Sequence, residues 1–249
     1  VQSDLSPGAH AALKTWAAIA TASAPDATNP AIAEFRDQFT FDVSSLDDAQ
    51  REAFFNAAGN DAFGVSQQIY VHDMTPRLRS VLAAVLDIDL PHQTDSVDDL
   101  WAAIEAFMVE VARLDSLDPA LTELIRLRGA RLHDCAVCKS RRSRDAIDAG
   151  ATDADFSAVD DWPSSNLPPQ TKAALGLVDA MVLTPSEVPR ATRSDARQYL
   201  SDEQVVEVLL DVVRNAANKI AVALGADAAT VTDGVELFVT DSDGNLVVV

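Results

Sequence analysis

The chain has 249 residues, with 39 acidic against 19 basic side chains and a formal net charge of −20. Such acidity excludes the basic footprint that nucleic acid demands and disfavours anionic membranes; it suits a solubilising surface. With 48 % hydrophobic residues, the length suffices for one helical domain with extra elements, or for two small domains.

In chain order, residues 1–24 read as an amphipathic helix begun by Ser6-Pro7-Gly8, with Ala11, Leu13, Trp16, Ile19 and Ala20 as its apolar stripe. A proline-containing loop spans 24–30. Helices are expected over 31–41 and 46–59, then as short pieces over 62–70, 75–88 and 96–115. The segment 17–24 is apolar but short and lacks a basic region before it, so neither a membrane span nor a signal peptide is expected. Asp118-Pro119, a cap followed by a proline at the first helical position, opens a helix over 118–132. A further helix is expected from an Asp134 cap to a stop at Gly150. Residues 152–169 read as a surface loop with a short helix, in which Trp162 is either a cover for the functional site or, the favoured reading, a packing aromatic. Helices return at 169–182, 190–199 and 201–224. The end changes character: 235–240 and 246–249, around Asp241-Ser-Asp-Gly-Asn245, read as a β-hairpin expected to pack on the helices or on another subunit. Asp241-x-Asp243-Gly244 has too few ligand positions for a calcium loop, and turn chemistry accounts for it.

Chemistry concentrates at Cys135 and Cys138, the only cysteines in the chain. A C-x-x-C pair can close a small ring, hold a metal or cycle between thiol and disulfide. Zinc needs more ligands, and of the four histidines only His133 is local. A ring between residues three apart constrains the unfolded chain weakly, which disfavours a purely structural disulfide. A redox dithiol is the favoured reading; a metal site and two inert buried thiols are its alternatives. A helix started by Asp134 would place Cys135, Cys138 and Arg142 on one face, with both thiols near a helix N-terminus and with Arg141, Arg142 and Arg144 close by. Both features favour thiolate. Glu123 would stand ~18 Å from Cys135 along a continuous helix, and nearer if the chain turns at 133–134. It is then a candidate proton acceptor, or simply a favourable acid early in its helix. No glycine-rich phosphate loop, H-E-x-x-H or G-x-S-x-G occurs.

Glu123-x(11)-Cys135-x-x-Cys138, set within Leu-x-Glu-Leu-Ile-Arg-Leu-Arg-x-Ala and followed by Ser-Arg-Asp-Ala-x-x-Ala-Gly, resembles the alkyl hydroperoxidase D-like (AhpD-like) proteins of the carboxymuconolactone decarboxylase superfamily. Segments 68–86, 167–181, 200–208 and 215–225 are similar to that family's other helices, so the likeness covers about residues 65–226. It implies an all-α, AhpD-like fold over 61–226, with 1–60 as an N-terminal helical extension and 227–249 as a tail. It implies a homo-oligomer, a trimer or higher, that reduces hydroperoxides with a dithiol/disulfide cycle and an external dithiol reductant, without a bound cofactor or metal.

By position, Cys138 matches the peroxidatic cysteine, Cys135 the resolving one and Glu123 the proton-relay glutamate. The family's histidine four residues after the second cysteine is Arg142 here. Arginine stays protonated and is no general base. It could hold Cys138 as thiolate by charge or pair with Glu123. His133 is the nearby imidazole that could substitute, or else a partly exposed turn residue. The expected function is a thiol-dependent hydroperoxide reductase, cytoplasmic in location. The alternatives are a redox-responsive or structural oligomer of the same fold, and a lactone decarboxylase that does not use the cysteines.

Overall fold

The computed structural model of the chain describes residues 5–94 and 96–249. The first four residues of the helix expected over 1–24 lie outside the described residues. Helix α1 (Pro7–Ile19) starts where Ser6 caps Ala9 N and Pro7 takes the first helical position. Asn29-Pro30 repeats the device for α2 (Pro30–Asp42), and an Asp47/Gln50 capping box opens α3 (Asp48–Ala58). Phe35 of α2 stacks on Phe54 of α3, centroids 3.8 Å apart and 9° from parallel. The fully buried Trp16 packs edge-on to Tyr70 at 5.6 Å and tilted to Phe107 at 4.9 Å.

Helix α4 (Ala62–Leu86) is one helix where two short ones are expected. Pro76 lies inside it, and buried residues from Ile69 to Val85 hold both halves against the core. Packing here overrides the local cost of proline. Next come α5 (Leu100–Ala112) and α6 (Pro119–Leu132), the latter capped by Asp118 with Pro119 at its first position, as its sequence predicts.

The continuous helix expected over 134–150 does not form. Asp134 adopts a left-handed backbone with φ 52°, and Cys135, not Asp134, is the N-cap of a four-residue α7 (Ala136–Lys139). The chain then extends into strand β1 (Arg141–Ser143) before α8 (Arg144–Asp148). Residues 152–169 hold α9 (Asp153–Ala158) and a 3-10 turn at Trp162–Ser164. Trp162 is a packing residue: its indole donates to Asp179 at 2.9 Å.

Helices α10 (Pro169–Leu183), α11 (Arg190–Tyr199), α12 (Asp202–Ala216) and α13 (Asn218–Ala223) complete the bundle. The last two replace one helix expected over 201–224. The tight bonds Ala217 N to Arg214 O (3.3 Å) and Ile220 N to Ala217 O (3.1 Å) mark the break.

The C-terminal hairpin forms from β2 (Glu236–Thr240) and β3 (Leu246–Val248), paired antiparallel. Its docking is specific. β2 also pairs in parallel with β1, Arg141 opposite Glu236 and Ser143 opposite Phe238, giving the sheet order β1-β2-β3. In the hairpin turn Asp241 Oδ1 accepts the amides of Asp243 and Asn245, each at 2.9 Å. Gly244 has φ +82°, and a Cβ there would stand 2.7 Å from Val109 O, so the turn rests directly on the α5 backbone. Among the described residues no helix is long and apolar enough to cross a membrane.

A buried ionic cluster ties the N-terminal helices to the rest. Asp73 accepts from Arg77 Nε at 2.6 Å and Lys219 Nζ at 2.5 Å, and Arg77 also donates to Thr40 O and Val182 O, both at 2.6 Å. Removing the shared anion strands two buried cations. Asp73→Ala is expected to cost roughly 3–5 kcal/mol. Urea unfolding of the variant measures this; a loss below 1 kcal/mol would show that the cluster is not a structural tie.

Candidate active site

The left-handed turn at Asp134 reverses the chain, so α7 and β1 fold back along α6. Glu123, twelve residues before Cys135, therefore reaches the cysteine segment. Its carboxylate accepts the Ser143 amide at 3.2 Å. Cys135 and Cys138 are joined as a disulfide, and the Cys138 amide also points at Cys135 Sγ at 3.3 Å. Both are buried, at 1 % and 9 % exposure, but only Cys138 lines a cleft.

That cleft is open and holds about 1490 Å³. It is lined by Glu123 and Arg126 of α6, Val137 and Cys138 of α7, Met108 and Val109 of α5, Arg214 of α12, and Phe238 and Leu246 of the tail.

Arg126 was not singled out from the sequence, and it organises the site. It grips Glu123 with two bonds, Nε to Oε2 at 2.6 Å and Nη2 to Oε1 at 2.7 Å. It also donates to Cys138 O and Arg141 O, each at 2.9 Å, and lies 5.4 Å over the Phe238 ring. Its one sequence signal is the i, i+3 spacing from Glu123 on α6. Arg128, on the same helix, grips Asp179 at 2.6 Å and so fastens α6 to α10.

Arg142 does not take the helical place that its spacing predicts. It shares no helical face with the cysteines, because α7 ends at Lys139. Arg126 rather than Arg142 makes the ion pair with Glu123. Arg142 donates to Lys139 O at 2.9 Å and Arg141 O at 2.7 Å, with its guanidinium 5.5 Å over Phe156. It does not line the cleft.

His133 is buried, not a partly exposed turn residue. Burial, with Lys219 and Arg77 nearby, lowers its pKa to about 3. The imidazole stays neutral near pH 7, faces the Asp73 cluster electrostatically and is not on the cleft wall.

The first turn of α7 offers its amides to a partner far along the chain. Asp227 accepts Ala136 N through its carboxylate at 2.7 Å and Val137 N through its carbonyl at 2.8 Å.

Arg214, which also lines the cleft, stands 3.7 Å from the buried Asp211. Burial, aided by Glu207, pushes Asp211 up to about 7 against the pull of Arg214. The folded pKa lies above the ordinary 3.8, so the fold is favoured below pH 3.8 and loses that advantage as pH rises through about 7. Asp211→Asn is therefore expected to add up to about 4 kcal/mol at pH 8 and little at pH 4. Denaturant midpoints at both pH values test this; equal effects at the two would remove ionisation as the cause.

Residues 98–180, which hold α5, α6, the cysteine segment and most of α10, match the carboxymuconolactone decarboxylase family. The chain is similar to uncharacterized proteins of Mycobacterium tuberculosis strains H37Rv and CDC 1551. Identity to each is 39 % over 225 residues, covering 87 % of this chain and 79 % of theirs. The uncharacterized protein YdfG of Bacillus subtilis is 29 % identical over 126 residues, 49 % of this chain and 86 % of its own. A crystal structure of an Agrobacterium tumefaciens protein of unknown function, suggested to be an antioxidant defence protein AhpD, aligns with TM-score 0.45 and 22 % identity. That alignment covers 54 % of this chain and 94 % of the other. With the matched segment carrying Glu123, Arg126 and both cysteines in one folded unit, the chain belongs to the carboxymuconolactone decarboxylase family.

Proposed function

We propose that the chain is a thiol-dependent hydroperoxide reductase. The observation that supports it most is the asymmetry of the cysteine pair: the two are joined, and only Cys138 borders the cleft. Cys138 thiolate attacks the terminal oxygen of a hydroperoxide. The O–O bond breaks, an alcohol leaves with one proton, and Cys138 becomes a sulfenic acid. Cys135 thiol attacks that sulfur, water leaves, and the disulfide forms. An external dithiol returns two electrons and two protons.

Glu123 lines the same cleft as Cys138, and we assign it the role of taking the thiol proton. Arg126 fixes its position. Cys135 is the resolving thiol, buried one residue before α7. Arg142 supports the turn and transfers no proton, and His133, facing another cluster, is outside the proton path. The apolar lining residues Met108, Val109, Val137 and Phe238 suit an organic hydroperoxide over hydrogen peroxide. We further assign it to the cytoplasm and to a homo-oligomer, in keeping with a reducible dithiol and with the resemblance described above.

A redox-responsive protein without peroxidase turnover is the second reading. It is favoured by one observation, that Glu123 is already held in two bonds by Arg126.

Stopped-flow mixing of reduced protein with cumene hydroperoxide separates the two. The peroxidase reading expects Cys135–Cys138 disulfide formation about a hundredfold or more faster than a free thiol, the scale of acid–base assistance. Cys138→Ser abolishes it, and Cys135→Ser leaves a trappable sulfenic acid on Cys138. Oxidation at the rate of free cysteine would leave the redox-responsive reading.

A further inference from the structure

The first turn of the four-residue α7, which follows Cys135 and holds Cys138, bonds a charged residue from outside the family-matched segment. Asp227 follows α13 and leads into the tail. Its carboxylate sits 2.7 Å from the amide of Ala136, the residue directly after Cys135, and its own carbonyl takes the next amide at 2.8 Å. The third amide of the turn, that of Cys138, points at Cys135 Sγ. Backbone amides at such a turn normally stabilise a thiolate. Here two of the three are taken by Asp227, and a formal negative charge stands beside the pair.

We infer that Asp227 is a positioning residue that holds the Cys135–Cys138 dithiol toward its protonated and disulfide forms and away from thiolate. The inference rests on the redox reading above and deepens it.

The neighbouring charges do not cancel this effect. Lys139 pairs with Asp134, and Arg141 pairs with Glu236 at 2.7 Å. Arg126 is engaged by Glu123 and two carbonyls, and Arg142 by the carbonyls of Lys139 and Arg141. Arg214, which lines the cleft, pairs with Asp211. Among the described residues Asp227 is the acid bonded to an amide of α7's first turn.

The redox consequence has a definite sign. Reduction adds two electrons and two protons to the disulfide and yields two thiols. A thiol that ionises at working pH stabilises the reduced form, and a nearby carboxylate opposes that ionisation. Asp227 thus makes the disulfide a weaker oxidant and Cys138 a slower nucleophile at neutral pH. Phe238 and Leu246, which close the cleft, belong to the same tail. The segment that shapes access to Cys138 therefore also sets its readiness to react.

The test needs no hydroperoxide. Reduced full-length protein is alkylated with iodoacetamide from pH 5 to 10, each cysteine is followed by mass spectrometry, and the reduced fraction is measured in glutathione buffers at pH 7. In Asp227→Asn, which keeps an oxygen for the Ala136 amide, the cysteine titration is expected to fall by roughly 0.5–1 unit, the scale of one nearby charge. Alkylation at pH 7 then rises about two- to threefold, since the gain in thiolate is partly offset by lower nucleophilicity. The reduced fraction rises too.

Asp233→Asn, an exposed acid of the same loop that bonds no amide of α7 among the described residues, makes the same charge change and is expected to leave both readouts unchanged. Asp227→Glu keeps the charge and is expected to stay near wild type, which separates charge from any loosening of the turn. An unshifted Asp227→Asn, an equal shift in Asp233→Asn, or an Asp227→Glu profile matching Asn would each overturn the inference. Slow oxidation by hydroperoxide alongside a shifted titration would remove the peroxidase reading and leave this one standing.

Discussion

Arg126 is the constraint on which the cysteine site depends. Its guanidinium makes four hydrogen bonds, two to Glu123 and one each to the carbonyls of Cys138 and Arg141, and covers the face of Phe238. Those partners lie on α6, α7, β1 and β2, so one side chain joins four elements. Glu123 is 2 % exposed, and a carboxylate that deep is tolerable only when paired and hydrogen-bonded. Arginine can do this because its planar fork serves a carboxylate and two carbonyls at once. Lysine, a point charge with three donors, could not match that geometry. The cost of burying the pair is offset by the order it imposes. The carbonyl of Cys138 is fixed in place, and the thiol on the same residue is fixed with it.

The tail and the cysteine segment stabilise each other. A three-residue strand such as β1 has little stability alone, and an isolated hairpin is marginal in water. Paired in parallel, they give β2 partners on both edges and stop the chain from continuing as helix beyond Lys139. The turn then reaches across to α5, where Gly244 lets backbone meet backbone and Arg113 donates to Asp243 O at 3.0 Å. The cleft is thus a joint product. Helices within the matched segment supply the cysteines and one wall, while residues far beyond it supply another.

The helices and their starts were legible because their signals are local. Ser6-Pro7, Asn29-Pro30, Asp118-Pro119 and the Ser201/Gln204 box write their caps within four residues. The cysteine pair was legible as a disulfide-forming pair, since its three-residue spacing is equally local. What failed was non-local. Nothing within 134–150 announces that Arg141–Ser143 will pair with residues about a hundred positions later, so apolar spacing and Gly150 read as one helix. α4 runs through Pro76 because its buried faces outweigh a local penalty. His133 read as exposed because the cluster it faces, Asp42, Arg77 and Lys219, is assembled from three distant segments. Asp227 and Arg126 escaped for the same reason: an acid in a loop and an arginine in a helix acquire meaning only from what the fold brings to them.

The same view explains why an arginine can stand at position 142, where the family resemblance asks for histidine. The extended backbone there points its side chain back over the end of α7, away from the cleft. The guanidinium bonds the carbonyl of Lys139 at the end of α7 and that of Arg141 in β1, and lies over Phe156 in the second small core with Leu124, Leu127 and Leu175. An imidazole has one donor when neutral and could not bond both carbonyls. Arg142 thereby helps end α7 and start β1, and β1 is the strand on which the tail docks. A proton-carrying side chain at this position would have to face the cleft, and the strand geometry turns it away. In the proposed mechanism, proton transfer beside Cys138 therefore rests with the Glu123 carboxylate, and the proposed effect of Asp227 at the Ala136 amide sets how readily the thiol gives up its proton.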